Sequence, residues 1–147
     1  MKVINAMQTV FESRSINEAY ARTAVVAFVS SVDPTVEEVS DIKTAVSEAV
    51  TNCIVHGYSE EIGKVYITVK IMEDNSVIIQ IRDKGCGIAD IKQAREPLFT
   101  TCASGERAGL GFAVMETFMD KVQVRSKVGK GTTVVLQKKI CSKQDTA

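Results

Sequence analysis

The chain has 147 residues, 45% hydrophobic and 24% charged, the size and balance of one domain with a single buried core. Lys plus Arg number 18, as do Asp plus Glu, so the basic excess that direct nucleic-acid binding usually needs is missing. No apolar run is long enough to span a membrane, and Met1-Lys2-Val3-Ile4-Asn5-Ala6 lacks the apolar core of a signal peptide, so the expected location is the cytoplasm.

Residues 6–12 alternate weakly between apolar and polar side chains and predict a first strand at a sheet edge. Ser15-Ile16-Asn17-Glu18 has the spacing of a capping box, a hydroxyl followed three residues on by an acid. It predicts a helix running to about Val32, where Asp33-Pro34 breaks it. Thr35-Val36-Glu37-Glu38 repeats the start signal, and the second helix runs on to Gly57, read as a C-terminal glycine cap.

Val65–Ile71 and Val77–Ile81 alternate strictly enough to predict an antiparallel hairpin with one buried face, turned by Glu73-Asp74-Asn75-Ser76. Residues 84–109 hold four glycines and read as a long loop with a short helix near residues 90–95. Loops of that length in a compact domain are usually functional or mobile. Residues 110–119 resume as an apolar helix, Lys121–Lys127 and Thr132–Lys139 form a second hairpin, and residues 141–147 are a polar tail. Strand, two helices, hairpin, loop with helix and hairpin make an α+β two-layer sandwich in one domain, residues 1–147, with helices on one face of a mostly antiparallel sheet.

Within the second helix Glu48, Asn52 and His56 recur every fourth residue and form one polar stripe. Val46, Ala49, Val50 and Cys53 beside them have the spacing of a buried face. Asp83-Lys84-Gly85-Cys86-Gly87 stands where a strand ends, so a carboxylate leaves the sheet beside two glycines that let backbone approach a flat or charged ligand. Gly109-Leu110-Gly111 opens the next helix, where free N–H groups suit a phosphate, and Arg107 can add a charge-assisted contact. Gly131-Thr132-Thr133 opens the last strand. Each motif alone has an ordinary reading as a solvated stripe, a turn or a helix start. Cys53, Cys86, Cys102 and Cys141 form no paired spacing, and free thiols are expected.

Taken in order, these motifs resemble the ATP-binding domain shared by DNA gyrase, Hsp90, histidine kinases and MutL, the Bergerat fold. The helix matches that superfamily's N box, Asp83–Gly87 its first glycine box and Gly109–Gly111 its second. Ser47-Glu48-Ala49-Val50-Thr51-Asn52, His56-Gly57-Tyr58, Pro97-Leu98-Phe99-Thr100-Thr101, Gly111-Phe112, Tyr20-Ala21-Arg22 and Asp33-Pro34-Thr35 are similar to the anti-sigma factor serine kinases, and nearest to the anti-sigma F branch of spore-forming bacteria.

That resemblance implies a protein serine kinase using ATP and Mg²⁺, with Glu48 as general base and Asn52 as the Mg²⁺ ligand. Asp83 would accept from the adenine amine, with Thr132 or Thr133 assisting through water and Gly85 and Gly87 admitting the base. Gly109, Leu110 and Gly111 would hold phosphates, Arg107 would lie near the γ-phosphate, and residues 95–108 would form an ATP lid with Thr100 and Thr101 as contacts. His56 is read as structural. Arg22 would meet acidic residues of the partners, sigma factor F and a serine-bearing anti-anti-sigma factor; a homodimer is implied, with no direct nucleic acid and no membrane. A kinase serving a stress-response sigma factor, and a nucleotide-gated binding module without productive phosphotransfer, are the alternatives.

Overall fold

The computed structural model describes residues 1–94 and 111–141. Five strands, β1 (Val3–Glu12), β2 (Lys64–Met72), β3 (Ser76–Asp83), β4 (Lys121–Lys127) and β5 (Gly131–Lys139), form one antiparallel sheet in the order β1-β2-β3-β5-β4. Alternation decides which face is covered. Val65, Ile67, Val69 and Ile71 of β2 and Val77, Ile79 and Ile81 of β3 are all buried, while Tyr66, Thr68, Ile78 and Gln80 between them keep partial exposure. Val65, Ile67, Val69, Val77, Ile79 and Ile81 share one core with Ala21, Val25 and Val29 of α1 (Asn17–Val29) and with Ile42, Val46, Ala49 and Val50 of α2 (Val36–Asn52). Two short helices, α3 (Ile91–Ala94) and α4 (Phe112–Phe118), follow, and α4 adds Phe112 and Met115 to that core. The layered α+β architecture is the expected one, and β1 is an edge strand that begins at Val3 rather than residue 6.

The two helix-start signals behave differently. At Thr35 the capping box is complete: Thr35 Oγ1 accepts from the Glu38 amide at 3.1 Å, and Glu38 Oε1 accepts from the Thr35 amide at 2.8 Å. At Ser15 it does not form. The N-cap of α1 is Ile16, without a side-chain cap, and the Glu18 amide donates to the Ser15 carbonyl at 3.2 Å. The Glu18 carboxylate is occupied elsewhere, accepting from Arg22 at 3.2 Å and from the Ser47 hydroxyl of α2. Charge-assisted bonds of this kind outweigh one backbone amide.

Gly57 is not a left-handed helix cap. From Cys53 to Gly57 the second helix widens into one π-helical turn, closed by the Tyr58 amide donating to the Cys53 carbonyl at 2.9 Å. Such π-turns concentrate at functional sites.

Candidate functional site

Asp83 is the last residue of β3 and continues the inward row of Ile79 and Ile81, so strand alternation buries its carboxylate at 4% exposure. Asp83 Oδ1 accepts from the Gly85 amide at 2.9 Å and, across the ladder, from the Thr132 amide at 3.3 Å. Burial pushes the Asp83 carboxyl above its ordinary value, while bonds from the Gly85 amide, the Cys53 thiol and the Thr132 amide pull it back. The Cys53 thiol is in turn raised well above its usual value, by burial first and then by the negative charge of Asp83.

The π-turn is packed directly on this carboxylate. A Cβ at Gly57 would stand 2.9 Å from Asp83 Cγ and Oδ2, so only glycine leaves the carboxylate its place. A Cβ at Gly85 would overlap the Gly57 carbonyl, which accepts from the Cys86 amide at 3.0 Å. Tyr58 completes the join, its hydroxyl donating to the Lys64 carbonyl at 2.8 Å and accepting from the Lys84 amide at 2.6 Å. Backbone and tyrosine thus fix the end of α2 against the loop after β3.

Between them opens a cavity of about 220 Å³. Ala49 and Asn52 come from α2, Ile81 and Asp83 from β3, Phe112 from α4 and Thr132 from β5, and Gly87 and His56 also line it. Apolar walls around a buried carboxylate suit a flat heteroaromatic base carrying an amine. Ser126 braces the rim: its hydroxyl accepts from the Ile88 amide at 2.7 Å, donates to the Gly131 carbonyl at 3.0 Å and meets Thr132 Oγ1 at 2.8 Å.

Asn52 Oδ1 is buried in the same wall. Glu48, one helical turn earlier, is half-buried and lies against Gly111, where an added Cβ would overlap its carboxylate. Gly111 has φ 73°, the left-handed conformation that caps α4 and favours glycine. Gly111 is therefore in contact with the carboxylate of Glu48. Among the described residues no group of three or more His, Cys, Asp or Glu could hold a metal by itself. The donor set fits a hard cation that takes one oxygen from Asn52 and the rest from a phosphate-bearing ligand and water.

Glu48, Asn52, Asp83, Gly85, Gly87, Gly111 and Thr132 are thus brought to one region. Thr100, Thr101, Arg107, Gly109 and Leu110 lie outside the described residues, with the expected lid. His56 turns its carbonyl to the Cys86 thiol at 3.1 Å. Arg22 stands apart from the cavity, in a second depression of about 360 Å³ shared with Lys43, Thr44, Ser47 and Glu48. Glu48 therefore lies on the depression that also holds Arg22. Cys53, Gly57 and Ser126 had no part in the sequence-based site; Cys53 reads as core from its helical spacing, and nothing near Gly57 signals a carboxylate 26 positions on. Among the described residues no helix is long and apolar enough to cross a membrane.

A family model described as a histidine kinase-like ATPase domain matches residues 11–138. An anti-sigma F factor of Thermoanaerobacter sp. (strain X514) is 54% identical over 97% of this chain and 99% of its own length. One from Geobacillus stearothermophilus is 52% identical over 95% and 96%. The crystal structure of the RsbU and RsbW domains of a Mycobacterium tuberculosis protein shares the fold with a TM-score of 0.69 at 17% identity, over 92% of this chain and 32% of that one.

Proposed function

Because the chain belongs to the anti-sigma F factors, within the histidine kinase-like ATPase family, we propose that it binds and inhibits sporulation sigma factor F and phosphorylates its anti-anti-sigma antagonist on serine. The observation that carries the kinase half is the pairing of Glu48 with Asn52 one turn apart on α2, with Gly111 pressed against the Glu48 carboxylate. Nucleotide binding alone uses Asn52 and Asp83 and has no need of a carboxylate facing outward at Glu48.

ATP supplies the transferable γ-phosphoryl group, and Mg²⁺ neutralises charge on its phosphates. Asp83 selects adenine by accepting from its amine, where guanine would present a carbonyl. Asn52 Oδ1 would give a bound Mg²⁺ one oxygen ligand, and the cation would hold the phosphates near Glu48. Glu48 then takes the proton of the acceptor serine as that oxygen bonds the γ-phosphorus and ADP leaves. Arg22, on the same depression, meets an acidic group of the partner. The homodimer rests on the family resemblance, and the cytoplasmic location on the sequence reading of its apolar runs and first residues.

The deciding experiment is Glu48→Gln, assayed with labelled ATP and the antagonist. Transfer is expected to fall by about a hundredfold to ten-thousandfold while the ATP dissociation constant stays within about twofold. Transfer at the original rate would remove Glu48 as base. A native protein that binds ATP and antagonist yet transfers nothing would be a nucleotide-gated binding module instead.

A further inference from the structure

On the reading that Glu48 receives the acceptor serine, we infer that Lys43 is a docking residue for the phosphoacceptor segment, taking a carboxylate about three residues from that serine. Lys43 is exposed on α2 and lines the depression that holds Arg22, Ser47 and Glu48. The other cation there, Arg22, already holds Glu18 at 3.2 Å and can meet an acid of the partner only by sharing its guanidinium, and Glu18 also holds the Ser47 hydroxyl. The Lys43 side chain alone of these makes no hydrogen bond or ion pair among the described residues. It is a cation offered to a ligand from outside.

The register follows from helix geometry. Lys43 precedes Glu48 by five residues, a rise of about 7.5 Å at 1.5 Å per residue. Five residues also turn about 140° around the axis, so the path between the two side chains runs obliquely and exceeds the rise, and at about 3.3 Å per residue an extended segment covers it in about three residues. Placement separates Lys43 from the nucleotide: the cavity beside Asp83 is lined from α2 by Ala49 and Asn52, a turn or more beyond it. A carboxylate on the incoming segment is therefore its matching group, and a phosphate of ATP is not.

Lys43→Glu and Lys43→Arg are compared with the native protein for transfer from labelled ATP to the antagonist, for ATP affinity and for melting temperature. The charge reversal is expected to raise KM for the antagonist at least tenfold at low salt. The melting temperature and ATP affinity should be unchanged, and the arginine variant should retain most activity. Each acidic residue within three positions of the acceptor serine is then changed to lysine, and one such swap should restore transfer by Lys43→Glu. The inference is overturned if Lys43→Glu transfers at native efficiency, if ATP affinity falls in parallel, or if no swap rescues it. Should the native protein transfer nothing, the kinase reading fails separately, and antagonist binding by titration calorimetry decides Lys43: equal affinity in native protein and Lys43→Glu overturns it.

Discussion

Burial pushes the Asp83 carboxyl above its ordinary value of 3.8, so the folded protein holds a proton there more tightly than the unfolded chain does. A raised carboxyl contributes stability that is complete below its unfolded value and is lost as the pH rises through its folded value. At neutral pH the ionised group therefore costs stability, and the proposed contact with adenine gives that cost a purpose. Asp83→Asn separates the two. The amide oxygen continues to accept from Gly85 and Thr132, while its NH₂ meets the adenine amine donor to donor. The variant is expected to have a urea midpoint at pH 7 no lower than the native protein, with a difference that shrinks toward pH 4. Its ATP dissociation constant should rise at least tenfold, in line with about 1.5–3 kcal/mol for a hydrogen bond to a charged group. Native-like ATP affinity in a titration would sink the adenine role. A lower midpoint at pH 7 would mean that the three donors on the carboxylate outweigh its burial.

The turns and caps around α2 set the geometry of the site, and Gly111 is where two of its elements touch. Alanine there has to occupy a left-handed conformation, at a cost of about 1–2 kcal/mol, and its methyl would displace the Glu48 carboxylate. Gly111→Ala should therefore lower stability by that amount in urea melts and slow single-turnover transfer more than it weakens ATP binding. Equal losses in both would mean that the glycine serves the nucleotide alone. Contacts of this kind also mark how far the sequence could be read. The hairpin of β2 and β3 was legible because one face is buried and alternation records it. The capping box at Thr35 was legible because all its partners are local. The box at Ser15 was misleading because Glu18 answers to Ser47 on another helix. Gly57 looked like a helix cap, since nothing nearby says that Asp83 will pack on it. Glu48, Asn52 and Asp83 could be named from motif order, yet the meeting of Glu48 with Gly111 and the open cation at Lys43 exist only once α1, α2 and α4 are packed.

Across the whole molecule, the cavity is closed by segments that are remote in sequence: α2, the end of β3, the start of α4 and the start of β5. The far end of β5 is tied back to the start of α2 as well, through Lys138 and Asp41 at 3.3 Å and through the Cys141 amide donating to Glu38 at 2.8 Å. A ligand in the cavity joins the same elements from the other end, so its binding energy adds to folding stability. At one hundred times its dissociation constant a ligand that binds only the folded state adds about 2.7 kcal/mol. For a domain of this size that is a rise in melting temperature of about 5–10 °C. ATP with Mg²⁺ should produce it, and chelating the metal should reduce it, because Asn52 then loses the cation that couples it to the phosphates. In Asn52→Ala the shift with ATP should be smaller and insensitive to the chelator, while in Asp83→Asn it should shrink with or without metal. Each protein is compared with its own ligand-free melt, which removes any intrinsic effect of the substitution. If Asn52→Ala keeps the full metal-dependent shift, the cation is held by other groups and Asn52 serves only the packing of α2.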